Sequence, residues 1–100
     1  MELQVIWSPA SVADVEDIRQ YIAADDPDAA RKVCEGIAES VSLLSRLPFL
    51  GPVYKTRRGR PAVREIQSGQ YRIFYRVLED RSVVEVLHVR HGRRSEPGHL

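Results

Sequence analysis

One hundred residues with 43% hydrophobic and 29% charged content make a single domain, 1–100, with a small but real core. The net charge of +1 hides an asymmetry: residues 1–50 hold four basic and nine acidic side chains, and residues 51–100 hold eleven and five. Such a chain is not uniformly basic like a nucleic-acid coat, and no apolar stretch approaches a membrane span. No signal peptide is expected, and the lone Cys34 cannot form an internal disulfide, so a reducing cytoplasm is the expected compartment. No internal repeat or linker interrupts the pattern.

In chain order, ELQVIWS reads as a strand with Leu3, Val5 and Trp7 on one face. SPASVADVEDIRQYIAADD follows as a helix. Ser8 is its N-cap, Pro9 its first-turn residue, and Val12, Val15, Ile18 and Ile22 its apolar stripe. Asp14, Glu16 and Asp17 are expected near its positive end. DDPDAARKVCEGIAESVSLLSRLP repeats the device over residues 27–47, with Asp26 as cap and Pro27 as start. Ala30, Val33, Ile37, Val41, Leu44 and Leu47 form the stripe, and Pro48 the stop. The short join predicts an antiparallel helical hairpin. Cys34 falls within this helical pattern, as a small packed residue rather than a nucleophile.

PFLGP leads to a basic segment, VYKTRRGRP, read as a loop. AVREI, QYRIFYRVL and SVVEVLHVRH then read as three strands joined by the tight turns QSGQ and EDRS. The order is β-α-α-β-β-β: an α+β fold, a helical hairpin packed on a mainly antiparallel sheet. In GQYRIFYRV, alternation puts Tyr71, Ile73, Tyr75 and Val77 on one face, and Arg72, Phe74 and Arg76 on the other. Pairing Leu78 with Val83 places Arg76 opposite Glu85, Phe74 opposite Leu87, Arg72 opposite Val89 and Gln70 opposite His91. Pairing Ile66 with Tyr71 places Glu65 opposite Arg72. Each cross-strand ion pair of this kind contributes roughly 0.2–1 kcal/mol, so both arginines have a structural role open to them. This register also puts Arg72 and His91 on one sheet face. His88 falls on the opposite face from His91, near Ile73, as a core-edge histidine, and His99 lies in a tail.

The motifs SPASVADVEDIRQYIA, DPDAARKVCEGI, LSRLPFLG, VREI, YRIFYRV and VEVLHVRHGRR, in this order and over nearly the whole chain, resemble the RelE/ParE superfamily. Its members are toxins of type II toxin–antitoxin pairs. The resemblance implies a cytoplasmic protein that arrests growth. It also implies neutralisation by a cognate antitoxin whose flexible segment wraps the toxin in a hetero-oligomer. ParE-like members poison DNA gyrase; RelE-like members cut mRNA in the ribosome.

The cutting chemistry has a ribose 2′-hydroxyl attack the adjacent phosphorus. It needs a general base, a general acid and cations at the phosphorane, but no metal and no cofactor. By resemblance, Arg72 in YRIF and His91 in VRHG occupy the arginine and last-strand places of RNase members. Some of those members carry a catalytic glutamate where this chain has Val53, Tyr54 and Lys55. Others use lysine clusters, whereas Lys32 and Lys55 are the only lysines here, and no tyrosine follows Tyr75. The HGRR ending is shared with ParE-side members.

The expectation is therefore a ParE-like gyrase poison. The alternatives are a metal-independent, ribosome-dependent endoribonuclease using Arg72 and His91, and a non-toxic RNA- or protein-binding module of the same fold. The target-binding set is Arg57, Arg58, Arg60, Arg64, Arg93 and Arg94, and no metal or cofactor site is expected.

Overall fold

The computed structural model describes residues 2–92. Strand β1 (Gln4–Trp7) leads into helices α1 (Pro9–Ala23) and α2 (Pro27–Leu43). Four strands follow: β2 (Val53–Arg57), β3 (Arg60–Ser68), β4 (Tyr71–Leu78) and β5 (Val83–His91). The sheet order is β1-β5-β4-β3-β2; β1 runs parallel to β5 and every other pairing is antiparallel. The α+β hairpin-on-sheet architecture is as expected, with one additional strand. The segment read as a basic loop forms β2, whose pairing with β3 is broken by two register shifts. Alternating Val, Tyr and Lys residues too few to register as a strand become one by lying against β3.

Both helix starts follow the sequence signals. The Ser8 hydroxyl accepts from the Ser11 amide at 3.0 Å, and an Asp26 carboxylate oxygen accepts from the Ala29 amide at 3.1 Å. A proline follows each cap. In α1, Val15 and Ile18 pack on the core as expected, and only the first position of the stripe differs. Ser11 is fully buried, its hydroxyl donating to the Ser8 carbonyl at 2.8 Å, while Val12 is exposed. Helix α2 stops at Leu43 rather than continuing to residue 47. Leu44, Ser45 and Arg46 each bond three residues back, and Ser45 exchanges bonds with the Leu3 backbone at 2.8 and 2.7 Å. The tightened turn buries Leu44 and leaves Leu47 outside the core.

Ile37, Val41 and Leu44 of the helical layer pack on Ile73, Tyr75, Val77, Val84, Val86 and Val89 of β4 and β5. Two registers differ from the expected ones. The β3–β4 hairpin closes at Ser68–Tyr71 around Gly69, whose φ of 58° suits glycine, so Ile66 faces Ile73 and Glu65 faces Phe74. Between β4 and β5 the expected pairs Leu78–Val83 and Arg76–Glu85 hold. A bulge at Leu87 then shifts the rest, so that Phe74 faces His88, Arg72 faces Arg90 and Tyr71 faces His91. The cause is the chain leaving β1. The Ser8 amide donates to the Val86 carbonyl and its hydroxyl to the Leu87 carbonyl, both at 2.9 Å, so the start of α1 docks at the bulge.

The loop into β2 is held from beneath. The fully buried Tyr75 hydroxyl accepts from the Gly51 amide at 2.9 Å, and Arg64 Nη1 donates to the Gly51 carbonyl at 2.8 Å. Burial pushes the Tyr75 phenol above its ordinary value, partly offset by the Gly51 amide. Because the folded state prefers the neutral phenol, this contribution is fully present below the unfolded value of about 10 and is lost as pH rises through the higher folded value. Tyr75→Phe is expected to cost about 1–2 kcal/mol by orphaning the Gly51 amide, and to flatten the alkaline limb of stability above about pH 10. Chemical denaturation of both proteins across that range checks both effects.

Candidate target-binding face

The helices cover one side of the sheet; the other carries the chemistry. There Phe74 is fully buried between Val63, Tyr54 and Leu87, with the Tyr54 ring edge-on at 4.9 Å. Arg72 lies over Phe74 at 4.9 Å and Tyr54 at 5.6 Å. It also grips Glu65 with two bonds of 2.6 and 3.0 Å. The Arg72 and Glu65 side chains are 17% and 19% exposed, so this is a mostly desolvated, bidentate pair. The two residues meet diagonally, because Arg72 stands opposite Gln67 in the register. Removing Glu65 from Arg72 to admit a phosphate would leave a carboxylate desolvated and unpaired, which is costly. Arg76 holds Glu85 at 2.7 Å, the cross-strand pair expected from the sequence.

The cationic character of this side gathers at the tip of the β2–β3 hairpin. Arg57 pairs with Arg60 around Arg58 and Gly59, and Gly59 has a φ of 73°. Lys55, Arg57, Arg58 and Arg60 are all exposed, and no carboxylate of the described residues pairs with them. Four cations on and beside this two-residue turn form a local positive field with no internal counter-charge. Arg64 is placed differently from the other arginines expected to bind a target. It braces the Gly51 carbonyl and lies over the Phe49 ring at 4.9 Å. Arg93, Arg94 and His99 lie outside the described residues.

Arg72 and His91 do not share a face. The Leu87 bulge turns His91 to the helix side, edge-on to Tyr71 at 5.4 Å, with Nε2 3.1 Å from Gln70 Oε1. His91, Tyr71, Val89 and Arg90 line one wall of a cleft of about 490 Å³, and Asp14, Asp17, Ile18 and Tyr21 of α1 line the other. An arginine and a histidine on opposite sides of a sheet do not converge on one phosphate.

Asp14 has a role the sequence reading missed. One oxygen accepts from the Val89 amide at 3.0 Å and lies 3.1 Å from His88 Nδ1; the other accepts from Arg90 Nη1 at 2.7 Å. It thus caps the stretch of β5 that β1 is too short to cover. The available signal was its spacing: Asp14 falls in line with Ser11, Val15 and Ile18, an acid on the buried stripe. His88 sits opposite Phe74, away from His91 as expected, but beside Phe74 rather than Ile73. Burial raises the Cys34 thiol above its ordinary value, which disfavours the thiolate and a nucleophilic role. Among the described residues no three His, Cys, Asp or Glu side chains gather as a metal site, and no helix is long and apolar enough to cross a membrane.

Residues 5–96 match the family model described as ParE toxin of type II toxin-antitoxin system, parDE. A Sinorhizobium fredii protein named "Putative toxin Y4kP" is 31% identical over 94 residues, covering 94% of this chain and 93% of the relative. Among solved structures, the fold is similar to the chromosomal ParDE system of P. aeruginosa, at a TM-score of 0.70 and 20% identity over 90% of this chain and 96% of that one. It is also similar to the archaeal RelE–RelB complex of Pyrococcus horikoshii, at 0.69 and 17% over 95% and 100%. The RelBE2 toxin–antitoxin complex of Mycobacterium tuberculosis gives 0.65 and 21% over 96% and 95%.

Proposed function

The chain belongs to the ParE toxin family of type II toxin–antitoxin systems, and on that premise we propose that it arrests growth by binding and poisoning DNA gyrase in the cytoplasm. A cognate antitoxin neutralises it within a toxin–antitoxin hetero-oligomer, as the complexes formed by its structural neighbours suggest. One observation carries the choice of a binding poison over a ribosome-dependent RNase. The exposed, unpaired cations stand on the β2–β3 hairpin, whereas Arg72 is held by Glu65 and His91 lies on the opposite face. Such a surface can grip an acidic partner without making or breaking bonds.

The test is induced expression without the antitoxin, with plasmid supercoiling and pulse-labelled protein synthesis followed separately. Supercoiling is expected to fail first. Early loss of protein synthesis with mRNA cleavage would reverse the assignment. Growth without arrest would favour the non-toxic binding module.

Charge reversal of the hairpin, Arg57→Glu with Arg58→Glu and Arg60→Glu, is expected to weaken gyrase inhibition about tenfold or more at low salt. The difference should shrink as ionic strength rises, because exposed charges are screened beyond about 8–10 Å near physiological salt. Inhibition curves at two salt concentrations check this.

A further inference from the structure

Eight large hydrophobic residues stand exposed among the described residues, and five of them fall within one short stretch: Leu43, Leu47, Phe49, Leu50 and Val53. Scattered exposed apolar residues are ordinary; a cluster is not. The run spans the end of α2, the loop that follows and the first residue of β2, each member between 41% and 53% exposed. The fold holds the loop in place from below. Gly51 is clasped by Tyr75 and Arg64, and a Cβ at Gly51 would stand 2.4 Å from the Glu65 carbonyl oxygen. Glu65 in turn donates its amide to the Pro52 carbonyl at 3.1 Å. The apolar side chains are therefore presented by a rigid loop, which lowers the ordering cost of binding.

Charges of both signs border this platform: Glu79 and Asp80 gather with Phe49 and Arg64 on one side, and the unpaired cations stand on the β2 side. Arg46 lies within it, Arg64 lies over Phe49, and Lys55, Arg57, Arg58 and Arg60 continue along β2 and its turn. An apolar centre with a charged rim is the usual anatomy of a protein-binding surface. Phosphates would use the rim but gain nothing from three leucines, a valine and a phenylalanine. The β2 edge itself is short, twice shifted in register and carries Lys55, features that discourage strand addition, so contact here runs through side chains.

We propose that this platform and the cationic hairpin form one composite docking surface for an acidic, apolar-containing surface of the target protein, rather than for nucleic acid. The proposal rests on the reading of the hairpin as target-facing.

Leu50→Glu and Leu50→Lys in the full chain test it, because residue 50 is half exposed and outside the core. Growth arrest on induction, binding to purified DNA-free gyrase and co-purification with the antitoxin are measured for each. Thermal melts of both variants confirm folding. Leu50→Glu is expected to abolish arrest and weaken gyrase binding about tenfold or more, as loss of a central anchor does. Leu50→Lys, which keeps the hairpin's sign, is expected to lose less, and both should still co-purify with the antitoxin. Arrest equal to wild type in both variants overturns the proposal. Equal losses from Glu and Lys overturn its acidic-partner clause. Loss of antitoxin binding with arrest intact overturns it by assigning the platform to the antitoxin. Failure of the wild-type protein to bind gyrase is a separate result that removes the gyrase reading. The proposal is then decided by whether Leu50→Glu reduces growth arrest more than Leu50→Lys.

Discussion

Replacing Gly51 with alanine is expected to destabilise the protein by about 3 kcal/mol, at the upper end of what overpacking costs. The added methyl would sit 2.4 Å from the Glu65 carbonyl oxygen and 2.9 Å from Ile66 Cγ2. The first contact is with backbone, which cannot rotate away, and β3 is fixed on its other side by β4. Relief would require the loop to lift, breaking the bonds from Gly51 to Tyr75 and Arg64. For a domain of this size each kcal/mol corresponds to roughly 4–8 °C in melting temperature, so a fall of more than about 10 °C is expected in a thermal melt. A change of only a degree or two would mean that the loop is not anchored as described.

Asp14→Ala is expected to cost about 2–3 kcal/mol, because it removes one acceptor shared by three donors and leaves the Val89 amide unsatisfied. Arg90→Met removes only one partly exposed member of the cluster and is expected to cost less than about 1 kcal/mol. The contrast separates the two roles of Asp14: if the two substitutions cost the same in denaturant unfolding, its value lies in the ion pair and not in capping β5.

Local signals made the fold readable. Serine–proline and aspartate–proline pairs mark both helix starts, and the alternation through Tyr71–Val77 sorts that strand's two faces correctly. The errors arose where distant chain segments decide the outcome. Ser8 contacts Val86 and Leu87, nearly eighty positions away, and the resulting bulge moves His91 to the opposite face from Arg72. No window of sequence around His91 contains that information. Strand β2 was missed for a similar reason, since its pairing with β3 is irregular and its composition mostly polar. The Arg72–Glu65 pair formed despite a two-residue register difference, because a long side chain reaches a diagonal neighbour. The arginine hairpin remained visible as charge density alone, and the apolar platform was overlooked because Leu47 and Leu44 read as one continuous helical stripe.

The central claim is that this toxin acts by binding and not by cutting. The most direct measurement is the growth arrest produced by His91→Ala, induced without antitoxin at matched protein levels. The account predicts arrest within about threefold of wild type, because His91 lies edge-on to Tyr71, on the opposite face from Arg72, and a binding poison asks no acid–base work of it. A loss on the order of 10²–10⁴-fold, the share of a single general acid or base, together with disappearance of mRNA cleavage, would contradict it.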